Sequence, residues 1–360
     1  MTQKVHCVLP GWCSVPLLLL LQLTAAQRAT CPDQCIPLAQ CPELLQLLKK
    51  PTPENLSALQ RLTCSYEREP KICCPRNVAP QPTFLLPSKC GLGSDLSRVY
   101  GGTVAPIDSH PWMAVLEYSE AGVPELKVHC GGSIINERYI LTAAHCVHPS
   151  ALNKRKLEII RLGDWDLSSD TDCEITRQGN KNCVPPAQDF THEEVIIHPD
   201  YNTRVQFSDD IALIRLSKSI DLTAQKKRIR AVCLPPEGLN VSSLASQRDA
   251  WIAGWGFTEN GTTSNRLLHV RLPFVNKEKC NITYNGNVVD EQMCVGGRKG
   301  QDSCAGDSGG PLVMAGPSGP PFLQIGVVSY GPVNCGQMDK PAVYTSVAHY
   351  RKWIEKNMRL

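Results

Sequence analysis

Apolar residues along this chain fall mostly in short runs closed off by turn formers. Ser133 to Leu141, Ile211 to Leu216, Trp251 to Gly256, Pro311 to Met314, Leu323 to Tyr330 and Ala342 to Val347 are apolar or alternating stretches bounded by turn residues. Such runs predict β-strands, and a further strand is expected after Pro111-Trp112-Met113. Within residues 99–360 only the chain end has helical spacing, with Val347, Tyr350, Ile354 and Met358 near a 3.6-residue period. Two short helical pieces are expected earlier, at Glu43 to Leu48 and Leu56 to Leu62.

The first 26 residues follow another pattern. Lys4 precedes an apolar run, Val15 to Leu23, and Thr24-Ala25-Ala26 offers small residues before Gln27. This order reads as a secretory signal peptide over residues 1–26. The run is too short to span a bilayer, so no membrane partner is expected. The 360 residues include 18 cysteines, a usage suited to an oxidising compartment. Removal of Cys7 and Cys13 with the signal leaves sixteen, an even number that suits complete pairing. A net charge of +3 with no basic stripe gives no reason to expect nucleic acid. The length alone implies two domains.

Cys31, Cys35, Cys41, Cys64, Cys73 and Cys74 crowd into 44 residues. A unit this small buries little core and needs staples. Spacing does not choose among the pairings, although adjacent Cys73 and Cys74 should take different partners. The absence of a CxxC pair or a histidine argues against zinc. Pro75, Pro80, Pro82 and Pro87 then mark residues 76–98 as an extended linker. Cys90 inside it needs a partner elsewhere.

The chemistry lies in Asp302-Ser303-Cys304-Ala305-Gly306-Asp307-Ser308-Gly309-Gly310-Pro311. Glycines allow a tight bend that can present the Ser308 hydroxyl and aim the N–H groups of Gly306 and Ser308 at one spot, as a developing oxyanion requires. A serine nucleophile needs a base, and the base needs an orienting carboxylate. His145 in Leu141-Thr142-Ala143-Ala144-His145-Cys146 and Asp210 in Asp209-Asp210-Ile211-Ala212-Leu213 supply both. The order His, Asp, Ser is that of the chymotrypsin arrangement.

These motifs resemble the trypsin-like serine proteases of the chymotrypsin fold over residues 99–360. The cysteine unit, residues 27–75, resembles the clip domain of arthropod proteases, a docking and regulatory module. The resemblance implies a mainly β fold, with two antiparallel six-stranded β-barrels, a closing C-terminal helix and a small disulfide-rich clip domain in front. It implies that Ser308 attacks, His145 is the base, Asp210 orients it, and the active site lies between the barrels. Arg98-Val99-Tyr100-Gly101-Gly102 resembles the family's activation site, with Asp307 receiving the α-amino group of Val99 after cleavage. Asp302, six residues before Ser308, matches the base of the trypsin primary pocket, with Ser303, Ser329, Gly331 and Ala342 on its walls. A carboxylate there favours a substrate Arg or Lys. Trypsins usually have glycine where this chain has Ala342.

The implied disulfides are Cys31–Cys73, Cys35–Cys64, Cys41–Cys74, Cys90–Cys233, Cys130–Cys146, Cys173–Cys183, Cys280–Cys294 and Cys304–Cys335. No cofactor is expected for the chemistry. A structural calcium is weighed for the acidic loop Gly163 to Cys173, against a solvated acidic loop; the resemblance to clip proteases that bind calcium there implies as ligands the carboxylates of Asp164 and Asp172 and the carbonyls of Asp166 and Ser169. Sequons stand at Asn55, Asn240, Asn260 and Asn281. The resemblance implies a secreted zymogen in haemolymph and an upstream trypsin-like activator. It implies a protein substrate such as prophenoloxidase, a Toll-pathway cytokine precursor or another clip-protease zymogen, and a serpin inhibitor. The alternatives are a non-catalytic clip protein acting as a docking cofactor and a protease of a developmental cascade.

Overall fold

A computed structural model describes residues 103–359 except 176–178, 223–227, 238, 242–247, 259–260, 301–302, 317–318 and 333–335; upstream it describes 34–37, 41, 44, 59, 62–65, 71–74, 85–87 and 89–93. The signal segment, Arg98, Val99, Asp302, Asn55 and Asn260 therefore lie outside the described residues. The chain divides into two compact units, residues 1–83 and 84–360.

The described part of the first unit is a three-stranded antiparallel sheet of β1 (Gln34–Pro37), β2 (Thr63–Ser65) and β3 (Lys71–Cys74), ordered β1-β3-β2. Its core is small: Cys41, Leu59 and Ile72 are buried, with Ile36, Leu44 and Leu62 packed around them. The Cys35–Cys64 disulfide clamps β1 to β2, covalent help for a core too small to hold itself.

The second unit is two antiparallel barrels. The first contains β5 (Met113–Glu120), β6 (Val123–Ile134), β7 (Tyr139–Thr142), β8 (Lys156–Leu162), β11 (Gln188–Phe190), β12 (His192–Ile197) and β13 (Ala212–Leu216). The sheet order is β11-β8-β5-β6-β7-β13-β12. Only Thr191 separates β11 from β12, yet β11 pairs with β8 and β12 with β13. One bent strand thus joins both ends of the sheet, giving six strands around a closed barrel and leaving no free edge. The second barrel repeats the device. β14 (Ala250–Gly254), β15 (Leu268–Leu272), β16 (Phe274–Val275), β17 (Gln292–Gly296), β18 (Pro311–Gly316), β19 (Gly319–Tyr330) and β20 (Pro341–Ser346) run β16-β17-β20-β19-β18-β14-β15. Pro273 alone separates β15 from β16, where a residue without an N–H interrupts the ladder. A two-residue strand, β4 (Thr103–Val104), adds to the outside of β15. Between β8 and β11 of the first barrel, β9 (Cys173–Ile175) and β10 (Lys181–Cys183) form a hairpin clasped by Cys173–Cys183.

One expected strand is a hairpin instead. Ser133 to Leu141 spans the end of β6, a turn and the start of β7. The cause is Asn136, whose Oδ1 accepts from the N–H groups of Arg138 and Tyr139 at 2.8 and 2.7 Å, a side chain imitating a backbone turn. The apolar residues on both sides remain buried, so the run looks unbroken in sequence. The C-terminal helix, Arg351–Asn357, buries Ile354 beside Val347, Tyr350 and Met358 in the main core.

Part of the expected linker belongs to the second unit. Leu85, Leu86 and Cys90 pack on its core. Gly91 N–H donates to the Ala231 carbonyl and its own carbonyl accepts from Phe322 N–H, both at 2.8 Å. Cys90 is bonded to Cys233 across 143 residues of sequence. A cut anywhere between Gly93 and Thr103 should leave both pieces in one molecule: on a denaturing gel the cut protein migrates as a single species until a thiol is added, and as two afterwards. Separation without reductant would contradict this bond.

Candidate functional site

His145 sits on a single 3₁₀ turn, Ala144–Cys146, that follows β7. Cys146 is bonded to Cys130 of β6, which pins the turn to the first barrel. Asp210 precedes β13, at the end of a loop in which Asp209 adopts φ 54°. Its side chain is fully buried. Asp210 Oδ1 accepts from the backbone N–H of His145 at 2.9 Å, and Oδ2 from His145 Nδ1 at 2.8 Å. Oδ2 also accepts from Ser329 Oγ of β19 at 2.6 Å, while Thr345 Oγ1 of β20 donates to the Asp210 carbonyl at 2.8 Å. With its acceptor oxygens filled, the carboxylate tolerates burial and fixes which imidazole nitrogen faces the cleft.

Ser308 stands on the turn that leads into β18, and its carbonyl accepts from Gly131 N–H of the first barrel at 2.7 Å. Gly306 has φ 101°, and a Cβ there would lie 2.8 Å from Gly256 Cα. Gly309 has φ 76°, where a Cβ would strike Thr142 Oγ1. Both positions exclude a side chain on conformation and space. His145, Gly306 and Ser308 line one cleft of about 850 Å³. Asp307 turns the other way, with Oδ1 accepting from Gly256 N–H and Oδ2 from Cys304 N–H, both at 2.9 Å. The residue is half-buried, and its carboxylate is turned inward onto these two N–H groups. Burial pushes its carboxyl up to about 6, against the two N–H groups, which lower it.

Three of the four described wall candidates are buried: Ser303, Ser329 and Ala342. Tyr344 of β20 donates to Ser303 Oγ at 3.0 Å. The Ser329 hydroxyl is committed to Asp210, a role that no local motif announces. A Cβ added at Gly331 would come within 3.2 Å of Ala342 Cβ, so the Ala342 methyl crowds that wall.

Several oxygens of the acidic loop already have protein donors. Asp172 Oδ2 accepts from the Arg228 guanidinium and from Trp165 N–H at 2.9 Å, and Oδ1 from Ser169 Oγ at 2.9 Å. Asp166 Oδ2 is held by Arg266 Nε at 3.0 Å, and the Asp166 carbonyl by Ser169 N–H at 3.0 Å. Asp164 lies 4.0 Å from Arg161 and senses both Asp172 and Arg228; burial, then the Asp172 charge, pushes its carboxyl up to about 6. These residues do not fit calcium, which needs several converging oxygens at about 2.3–2.6 Å. A buried guanidinium already fills the cation's place. Nothing local in the sequence marks Arg228 as the partner of Asp172.

Cys130–Cys146, Cys173–Cys183, Cys280–Cys294, Cys35–Cys64 and Cys90–Cys233 are bonded. Cys41, Cys73 and Cys304 are disulfide-bonded too; the partners expected for them, Cys74, Cys31 and Cys335, lie outside the described side chains. Asn240 is exposed, and half-buried Asn281 accepts from Val288 N–H at 3.0 Å.

Comparison with known proteins agrees with this fold and cleft. The family model described as Trypsin matches residues 99–354, and the Regulatory CLIP domain of proteinases matches residues 32–74. CLIP domain-containing serine protease B4 of Anopheles gambiae is 40% identical over 333 residues, covering 90% of this chain and 89% of that protein. Melanization protease 1 of Drosophila melanogaster is 38% identical over 375 residues, covering 91% and 92%. The crystal structure of the Drosophila Grass clip serine protease of the Toll pathway shares 36% identity at a TM-score of 0.65, covering 91% of this chain and 94% of that one. The chain therefore belongs to the trypsin family of serine endopeptidases, in its clip-domain branch. That places it among enzymes and sets aside the non-catalytic docking protein.

Thermal unfolding should not respond to millimolar calcium or to EDTA. Arg228→Met should destabilise by about 3–5 kcal/mol, because it strands the buried Asp172 carboxylate. A calcium-dependent rise in Tm of the wild type would overturn the assignment.

Proposed function

We propose that the chain is a secreted zymogen that, once cut between Arg98 and Val99, cleaves protein substrates after Arg or Lys. The observation that carries the reading is the His145–Asp210 pair opening onto the same cleft as Ser308 and Gly306. In the proposed reaction Ser308 Oγ attacks the peptide carbonyl carbon as His145 Nε2 takes its proton. The N–H groups of Gly306 and Ser308 receive the oxyanion, and His145 returns the proton to the leaving amine. Asp210 holds the imidazole through Nδ1 and stabilises it when charged. Water then repeats the sequence on the acyl-enzyme. Asp302 would hold the substrate cation at the pocket base, with Ala342 narrowing the wall near Gly331.

The zymogen reading rests on Asp307. Its carboxylate is enclosed with two backbone N–H groups but no Lys or Arg beside it among its named contacts. The α-amino group made by cutting before Val99 is the cation that such a carboxylate lacks. The activator would be another trypsin-like enzyme, given Ser97-Arg98. The signal pattern of residues 1–26 supports an extracellular location such as haemolymph. The names of the relatives support a place in a melanisation or Toll cascade, with a cascade protein as substrate and a serpin as inhibitor.

Ser308→Ala should abolish hydrolysis of an Arg ester by the activated protein by several orders of magnitude, without changing its unfolding temperature. Activity within tenfold of wild type would sink the triad assignment. Asp307 gives a second test. Its folded value, about 6, exceeds the ordinary 3.8, so the uncut folded chain binds more protons than the unfolded one between these values. Stability therefore falls as pH rises from roughly 4 to 6, by on the order of 2 kcal/mol. Docking of the new ammonium should remove that fall. Denaturant titrations of Ser308→Ala, uncut and cut, across this window measure the difference; Asp164 contributes equally to both forms. Identical pH profiles would refute the pairing.

A further inference from the structure

The cleft wall away from the primary pocket carries a cation that has no acid of its own. His145 has different neighbours on its two sides. Toward the pocket, Phe207 meets the imidazole edge-on at 5.7 Å and stacks on Tyr330 at 5.2 Å. On the other side lie the Cys130–Cys146 bond and Tyr118, whose hydroxyl donates to the Cys146 carbonyl at 2.8 Å and whose ring meets His129 at 5.6 Å. A substrate anchored in the pocket must run its leaving half along this second side. That side is completed by Leu152 and Arg155, at the end of a short helix, α1 (Pro149–Leu152).

No Asp or Glu lines the cleft among the described residues. The charges around its far end are mostly matched. Lys127 pairs with Glu125 at 3.2 Å, His129 with Glu120 at 2.5 Å, and Lys156 with Glu158 at 3.1 Å. Arg155 is different. Its guanidinium is held from behind by the carbonyls at the end of α1, with Nε donating to Leu152 at 2.8 Å and Nη2 reaching Ala151 at 3.4 Å. The Leu152 carbonyl also accepts from the Arg155 backbone N–H at 2.9 Å, so backbone and side chain of Arg155 are both fixed to the helix end. The remaining N–H donors have no carboxylate partner among the described residues. A guanidinium fixed in place, with donors to spare and its side-chain entropy already spent, suits carboxylate recognition.

We propose that Arg155 is a specificity determinant that binds an acidic side chain, Asp or Glu, in the leaving half of the substrate. The proposal rests on the reading of His145, Ser308 and the pocket given above, and it narrows the substrate class to sites with an acid shortly after the cleaved bond. An arginine that only closed the helix end would leave sequence preference unmoved.

The test uses the activated protease and quenched-fluorescent peptides that share one Arg before the cleaved bond. They carry Glu, Gln or Lys in turn at each of the first few positions after it. At one position kcat/KM should favour Glu over Lys by about tenfold, the scale of one charge-assisted hydrogen bond. The preference should shrink as salt rises. Arg155→Gln should flatten the series and Arg155→Glu should invert it. Hydrolysis of a small Arg ester, which has no leaving-side residues, reports whether each variant is folded. A wild-type ratio near one at every position overturns the proposal, as does an unchanged order in a folded Arg155→Glu. If Arg155→Glu fails to fold, Arg155→Gln and the wild-type salt dependence decide. Loss of ester hydrolysis by the activated wild type is a separate result, and it strikes the triad reading instead.

Discussion

A single buried carboxylate ties the active site to the architecture. Asp210 has no solvent to satisfy it, and an unpartnered charge in that position would be prohibitive. Its partners come from both barrels: His145 from the first, Ser329 and Thr345 from the second. The two barrels must close on each other before that carboxylate is satisfied. Closing them also sets the Ser308 turn opposite β6 through Gly131. Barrel packing and assembly of the His–Asp pair are therefore one event. A loosened interface would appear first as a misplaced imidazole and only later as lost secondary structure.

Chemistry confined to short motifs was legible in the sequence. The glycines around Ser308 and the residues around His145 carry their geometry locally, in φ values and turn hydrogen bonds, so neighbours in sequence suffice to find them. The barrel number was legible only through resemblance. No periodicity reveals that a strand bends at Thr191 or Pro273 to serve both ends of one sheet. Asn136 misled for the opposite reason, because its turn is made by one polar side chain inside a run whose apolar members all remain buried. The bonds that Ser329 and Arg228 make were not legible because their partners lie far away in sequence, 119 residues for Ser329 and 56 for Arg228. A hydroxyl that ends in a hydrogen bond to a distant carboxylate looks, in sequence, like any other serine.

Three buried carboxylates of this chain show three ways of living without water. Asp210 is saturated by hydrogen bonds from two barrels. Asp172 holds a guanidinium and two further donors. Asp307 has only two amide N–H groups, and its affinity for protons is raised accordingly. The least satisfied of the three stands next to the nucleophile, which makes it the position where one added positive charge changes most.

The bond between Cys90 and Cys233 bears on kinetics as well as on integrity. Cys90 lies upstream of Arg98 and Cys233 downstream, so anything joined to residue 90 stays on the same molecule as the cleft after a cut in the 94–102 segment. Encounters between the clip unit and the catalytic unit are then unimolecular. Their frequency does not fall when the protein is diluted into a large volume. A module that would be lost to dilution as a free fragment stays available at a concentration set by the chain itself.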